Sequence, residues 1–405
     1  MTRRAIGRRC LLGALAAAPL IASRAARAAD WDDVLARARG QTVFFNAWAG
    51  DDATNAFLAW TGDQTQRRFG VTIQHVRLRD TAEAVARVIA EKAAGRGEGG
   101  SVDLIWINGP NFLSMKEQGL LFGPFTDRLP NFRFVDVEGK PATVTDFTVP
   151  VDGLAAPWRM AQIVYIHDSA RLRQPPRSIP AMLDWARANP GRLTHPHVRN
   201  FLGATFLKQA LYELTPDAAA LQRPVAAAGF DAAAQPLWRW YDALQPALWR
   251  RGRQFPESGP AQRQLMNDGE IDLMIAFNPS EAALSIARQQ LPASARVYVL
   301  DRGTIGNASF VAIPFNAAHR DGAMVVADFL MSAEAQARAQ DPRVLGAFTV
   351  LDLDRLPAAE RARFDAIAGG PAMPASADLG RPLPEPHPSW MTRITEAWER
   401  RYGQG

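Results

Sequence analysis

Short apolar runs alternate with longer amphipathic stretches along the first quarter of the chain. Residues 41–47 read as a strand centred on Val43, Phe44 and Phe45, and 71–78 and 104–107 read as two more. Between the first two, Asp51 or Asp52 caps a helix that runs to about Arg68. Asp80 and Glu83 stand at capping-box spacing ahead of a helix to about Ala94. A shorter helix, 31–39, is capped by Asp30 and stopped by Gly40. This β-α-β-α-β order predicts a parallel sheet with helices on its faces.

The third strand ends in Asn108-Gly109-Pro110-Asn111, which cannot continue it, and a helix follows from Phe112 to Gln118 with Gly119 as its stop. A strand that turns into a helix leaves outward-facing amides at the positive end of the helix dipole, where α/β proteins hold ligands. We read this edge as one wall of a cleft. An ordinary turn with Trp106 and Phe112 in the core is the plainer alternative.

Further on, 152–158 reads as extended and 161–166 as strongly strand-like, a pattern that suggests a crossover into a second lobe. Helices follow at 178–187, 201–213, 236–249 and 258–268, with a short strand at 192–194. A buried strand at 271–277 ends in Asn278-Pro279-Ser280-Glu281 and starts one more helix. Strands at 297–300 and 309–313 then return to the first lobe, and the rest is mostly helical, at 317–339 and 388–401, around a Pro-rich loop at 371–388. A chain of 405 residues is too long for one ordinary core. The expected division is lobe one from 29–160 plus 305–405 and lobe two from 161–304. Two or three hinge strands would join them, a layout that commonly closes on a ligand.

Composition is globular, 47% apolar and 21% charged, but the net charge of +5 misleads. Residues 1–28 hold six arginines and no acid, so the remainder carries −1 and shows no like-charge run; no nucleic acid is expected as a partner. Those residues have the parts of a cleaved export signal: a basic start, an apolar run from Leu11 to Ala22, and Ala26-Arg27-Ala28 before the expected first mature residue, Ala29. Arg8-Arg9 followed by Cys10-Leu11-Leu12 resembles a twin-arginine signal, with the general secretory route as competitor. Cys10 is the sole cysteine, so the mature chain has no disulfide or thiolate chemistry. A soluble periplasmic protein is the expectation.

Chemical motifs are sparse. There is no G-x-S-x-G, H-E-x-x-H or P-loop, so we expect no enzyme, although triads are recognised by geometry and an exported hydrolase stays the alternative. Gly95 to Gly100 spells G-x-G-x-x-G, but it follows a helix and precedes a strand, the reverse of the dinucleotide-binding order. His195-Pro196-His197 lacks a third ligand, so we read it as a surface loop and expect neither metal nor cofactor.

Several segments carry a resemblance: Phe44-Phe45-Asn46-Ala47-Trp48, Asp103 to Gly109 with Asn111-Phe112, Leu121-Phe122-Gly123-Pro124-Phe125 and Ala156-Pro157-Trp158. In the second lobe they are Thr205 to Glu213, Phe255 to Gln262 and Asn267 to Asp272. Together, and in this order, they resemble the periplasmic solute-binding proteins of ABC importers, and within them the YnjB-type group. The resemblance implies an α/β, two-lobed, type II-like fold, each lobe a mainly parallel sheet flanked by helices. It also implies delivery of a small solute to an ABC permease; we expect a monomer.

In such a fold the candidates are strand-end loops and helix starts. These are Asn46, Trp48 and Asp51 after the first strand, Asn108 and Asn111 after the third, and Trp158 in the hinge. In the second lobe they are Phe201, Thr205, Ser258, Gln262 and Asn278. Asp51 and Ser258 equally suit plain helix caps, and Trp158 and Phe201 suit core. The aromatic faces and Asp51 lean towards a thiamine-like or polyamine-like cation, against an anion held at helix N-termini.

Overall fold

The computed structural model describes residues 30–367, 372, 374 and 376–403; the expected export signal lies outside them. After a helix at 30–38 come β1 (Thr42–Trp48), β2 (Thr72–Leu78) and β3 (Leu104–Ile107). A hairpin of β4 (Thr145–Asp146) and β5 (Val149–Pro150) precedes β6 (Ala155–Gln162) and β7 (Val164–Asp168). The remaining strands are β8 (Leu273–Ala276), β9 (Ala295–Tyr298) and β10 (Gly306–Ala312).

The first sheet has the order β2-β1-β3-β10-β6. β1 pairs in parallel with β2 and β3, while β10 is antiparallel to β3 and to β6, so β1, β2, β3 and β6 all end at one edge. Strand alternation decides what each face buries. Val43, Phe45 and Ala47 pack with Ala53, Phe57 and Leu58 of the Asp52–Phe69 helix, and Ile105 and Ile107 pack on the other face with Val85 and Val88 of the Ala82–Ala93 helix. Asp51 caps the first of these helices by accepting from the Thr54 amide at 2.8 Å, and Gly70 ends it at φ 68°. The helix after β3 starts at Pro110, two residues earlier than expected, because proline suits a first helical turn.

Only Ile163 separates β6 from β7, so one extended run passes from the first sheet into a second, ordered β8-β7-β9. This sheet is antiparallel throughout, where a mainly parallel one was expected; a parallel bridge from Leu193 to Leu273 is what the expected 192–194 strand amounts to. The crossings explain the direction. β7 enters from the first sheet and β9 leads back to it, so the two must run oppositely. β9 therefore belongs to the second sheet, and the chain returns to the first sheet only with β10. Three segments lie side by side at the crossing: the Ile163 amide donates to the Ile305 carbonyl at 2.8 Å and the Gly306 amide to that of Leu383 at 3.0 Å.

Residues 311–364 pack largely in the first core, but the C-terminal Pro388–Tyr402 helix departs from the expected placement of 305–405 with lobe one. Its Trp390, Ile394, Ala397 and Trp398 form one helical stripe buried with Phe206, Leu237 and Tyr241 in the core around the second sheet. The expected 236–249 helix begins at Phe230 and holds Pro236 inside it, with Trp238 and Trp240 packed in that same core. The expected 317–339 helix is two, Arg320–Leu330 and Ala333–Gln340, because Ser332 caps a fresh start.

His195 is not in a surface loop. Its ring is fully buried, stacked 4.8 Å from Phe206, with Nδ1 2.7 Å from the Pro196 carbonyl and Nε2 2.8 Å from the Tyr241 hydroxyl. Burial pulls its pKa down to about 4, with the Pro196 carbonyl opposing. A depressed histidine contributes stability that is fully present above its unfolded value of about 6.5 and is lost as pH falls through the folded value. Denaturant unfolding should therefore show stability falling between pH 6.5 and 4, by about 3 kcal/mol from this group. The difference from His195→Gln isolates it; parallel slopes in the two proteins would contradict the assignment. Among the described residues, no helix is long and apolar enough to cross a membrane.

Candidate functional site

The shared edge of the first sheet faces the second, and polar side chains gather there. Trp106 and Asn108 come from the end of β3, Asn307 and Ser309 from β10, and Arg159 from β6. Asn307 and Ser309 lie on the same side of their strand as Val311, which belongs to the first core. Arg159 reaches this group through a β-bulge. Ser309 pairs with Arg159 but Phe310 pairs with Pro157, so Trp158 is the extra residue. Simple alternation would send Trp158 and Arg159 to opposite faces. The bulge brings both to one side, with the guanidinium 4.8 Å from the Trp158 ring and 4.4 Å from that of Trp106.

Those two rings meet edge to face at 5.1 Å, and Arg159 sits in their corner. Its Nε donates to Ser309 Oγ at 3.3 Å, the one hydrogen bond or ion pair of the guanidinium among the described residues. Desolvation pulls its pKa down to about 10, with the charge of Asp51 opposing, so it stays cationic at neutral pH. Trp48 extends the aromatic wall, edge to face with Trp106 at 6.4 Å. Its ring folds back over Gly50, where a Cβ would collide with it.

Beside this wall a buried charged cluster links the sheets. Lys208, from the Phe201–Leu214 helix, donates to Glu385 at 2.6 Å, and both side chains are fully buried. Glu385 also accepts from Asn307 at 2.9 Å. The Lys208 ammonium lies 4.4 Å from the Phe147 ring and 5.1 Å from that of Phe201. Phe147 is held at φ 56°, and a Cβ on Gly109 would stand 2.8 Å from its ring. Next to it Asp146 accepts from Asn108 Nδ2 at 3.0 Å and from the Gly109 amide at 2.5 Å. Burial lifts the Asp146 pKa to about 7 against those bonds.

The predicted residues fall into three sets. Trp48, Asp51, Asn108 and Trp158 come together around Arg159 and Asp146. Phe201, Thr205 and Lys208 share a face of their helix at i, i+4 and i+7, and the buried Thr205 hydroxyl has no hydrogen-bond partner among the described residues. Phe201 is 37% exposed and meets Phe277 edge to face at 5.3 Å, next to Asn278. Most of the others are engaged by other parts of the chain. Asn46 faces Arg87 and the Phe44 carbonyl, and Gln262 donates to the Thr194 carbonyl at 2.8 Å. Asn278 donates to the Leu345 carbonyl at 2.8 Å, Ser258 caps the Gly259–Asn267 helix, and Asn111 sits half-buried in the first turn after β3.

Sequence reasoning missed Arg159, Lys208, Asp146, Asn307, Ser309 and Glu385. Two of these carried a signal: Arg159 is a lone charge in the apolar stretch Ala155–Gln162, and Lys208 is the one cation in the mostly apolar Phe201–Leu214 helix. Among the described residues, no group of three or more His, Cys, Asp or Glu could hold a metal ion.

The profile of the bacterial extracellular solute-binding protein family matches residues 60–352. Protein YnjB of Escherichia coli strain K12 is 42% identical over 381 residues, 94% of this chain and 96% of YnjB. AfuA from Actinobacillus pleuropneumoniae, solved with fructose-6-phosphate, superposes with a TM-score of 0.63 at 15% identity, covering 90% of this chain and 99% of AfuA. The spermidine/putrescine substrate-binding protein PotD from Streptococcus pneumoniae gives 0.58 at 11% identity, covering 88% and 99%. Both neighbours are substrate-binding proteins of the two-lobed periplasmic fold, and this chain shares that fold. The chain belongs to the bacterial extracellular solute-binding proteins, the substrate-capturing components of ABC transporters.

Proposed function

We propose that this chain captures a small polar organic solute in the cleft between its two sheets and delivers it to an ABC permease of the inner membrane. The observation that carries this reading is the juxtaposition at the sheet edge. Arg159, Trp106 and Trp48 of the first sheet stand at the end of the chain crossing, and the Phe201–Leu214 helix of the second unit reaches the same edge through Lys208. Residues 1–28 act as a cleaved export signal of the twin-arginine type, and the mature chain works as a monomer in the periplasm. Lobe one is 29–160 with the returning strand from about 305, lobe two is 161–304 with the C-terminal helix, and the three crossing segments serve as the hinge.

Among proteins of this fold, AfuA holds fructose-6-phosphate and PotD is named for spermidine and putrescine. A thiamine-like or polyamine-like cation has the weaker support here. Asp51 already accepts from the Thr54 amide and hydroxyl, both at 2.8 Å, and the unpaired charge at the edge is the guanidinium of Arg159. Calorimetric titration with a panel of phosphate esters, carboxylates, polyamines and vitamins should give one-to-one saturation with the solute recovered unchanged. Turnover of the titrant would instead establish the exported-hydrolase alternative.

A further inference from the structure

We infer that Arg159 is the receptor for an oxyanion of the solute, a carboxylate or a phosphate, held in the corner formed by Trp106 and Trp158. The inference rests on the cleft-binding reading and goes beyond it by fixing the chemical class of one end of the solute. Three observations carry it. First, the guanidinium is placed by construction: the bulge at Trp158 turns it out of the regular alternation and onto the cleft side of the sheet. Second, the rings at 4.4 and 4.8 Å and the Ser309 hydroxyl at 3.3 Å on Nε hold it in place. Third, its two terminal nitrogens have no acceptor among the described residues, and they are not among the fully enclosed atoms.

A cation held between two aromatic rings with its outer edge free is half of a bidentate pair. Arg presents two parallel N–H donors on that edge, at the spacing of a carboxylate or of two phosphate oxygens. The Asp52–Phe69 helix starts nearby, but the Asp51 carboxylate already caps it and its negative charge acts on Arg159, so the attraction for an oxyanion rests on the guanidinium and not on the helix end. A cationic end of a solute would meet like charge here. It would have to displace a guanidinium that the fold has gone out of its regular pairing to position.

The test compares the mature wild-type chain with Arg159→Gln and Arg159→Lys, using native mass spectrometry of protein purified from cells and tryptophan fluorescence. Trp106 and Trp158, two of the chain's eleven tryptophans, lie against the guanidinium. The fluorescence probes are matched pairs, glycerol 3-phosphate against glycerol and succinate against 1,4-butanediol, with inorganic phosphate and putrescine alongside. The expected result is that one class of anionic probe, or a co-purified anionic solute, binds wild type. Arg159→Gln should lose at least 100-fold in affinity and Arg159→Lys about tenfold, because lysine keeps the charge but not the fork. The phosphate and carboxylate arms say which oxyanion it is. Arg159→Lys keeps the test valid if the glutamine variant does not fold. A co-purified solute held equally by all three proteins, or one with no anionic group, would overturn the assignment and leave the cleft reading standing. A wild-type chain that binds neither a cellular solute nor any probe would overturn both.

Discussion

Lys208→Met is expected to lower the free energy of unfolding by about 3–5 kcal/mol, because it leaves the fully buried Glu385 carboxylate without its counter-ion. Burial already works against both charges, pushing Lys208 down and Glu385 up, and each holds the other ionised across 2.6 Å. Asn307 alone cannot replace the ammonium, since it offers Glu385 one neutral hydrogen bond at 2.9 Å. The double variant Lys208→Met/Glu385→Leu should recover most of the loss, as an apolar pair often matches a buried ion pair. Urea unfolding of the two single variants and the double variant checks this. A loss under about 1 kcal/mol in Lys208→Met would mean that water reaches the pair.

Trp158→Ala should cost a similar amount, about 3–5 kcal/mol. Its ring is 1% exposed, stacks on Phe57 at 6.0 Å and 14°, and fills the first core beneath Arg159. Its carbonyl also accepts from Gln336 Nε2 at 2.5 Å. Loss of solute binding in this variant therefore follows from loss of packing. Trp48→Ala is the cleaner probe of the wall, since Trp48 is only half-buried at the strand end. Thermal melts should show Trp158→Ala well below wild type and Trp48→Ala close to it. Equal melting temperatures for all three would contradict the packing of Trp158.

What could be read from the sequence was local. Asp51 and Gly70 bracket a helix through interactions within a few residues, and the alternation of Val43, Phe45 and Ala47 sets a strand face directly. Strands β1 to β3 followed from those signals because parallel pairing through crossover helices leaves little choice of direction. The second sheet was misread because its directions depend on where the chain crosses between lobes, which no short window contains. The C-terminal helix shows an amphipathic stripe, but nothing in it says which core the stripe meets.

The candidate site was half legible for the same reason. Trp48, Asn108 and Phe201 sit at strand ends or helix starts that punctuation marks out. Arg159 was hidden by the bulge, since regular alternation at Trp158 would have turned one of the two residues away. The Lys208–Glu385 pair joins residues 177 positions apart and leaves no local pattern beyond one lysine in an apolar helix. Candidates such as Gln262 and Asn46 looked like ligand groups by type. The structure gives them carbonyl and arginine neighbours that no spacing announces.

The most direct measurement of cleft binding is native mass spectrometry of the mature chain, residues 29–405, purified cold from cells beside its Trp48→Ala/Arg159→Gln variant. The cleft account predicts one discrete small-molecule adduct per wild-type chain, released on denaturation, and a bare mass for the variant. Equal adduct occupancy in both proteins, or a bare mass in both, would contradict it.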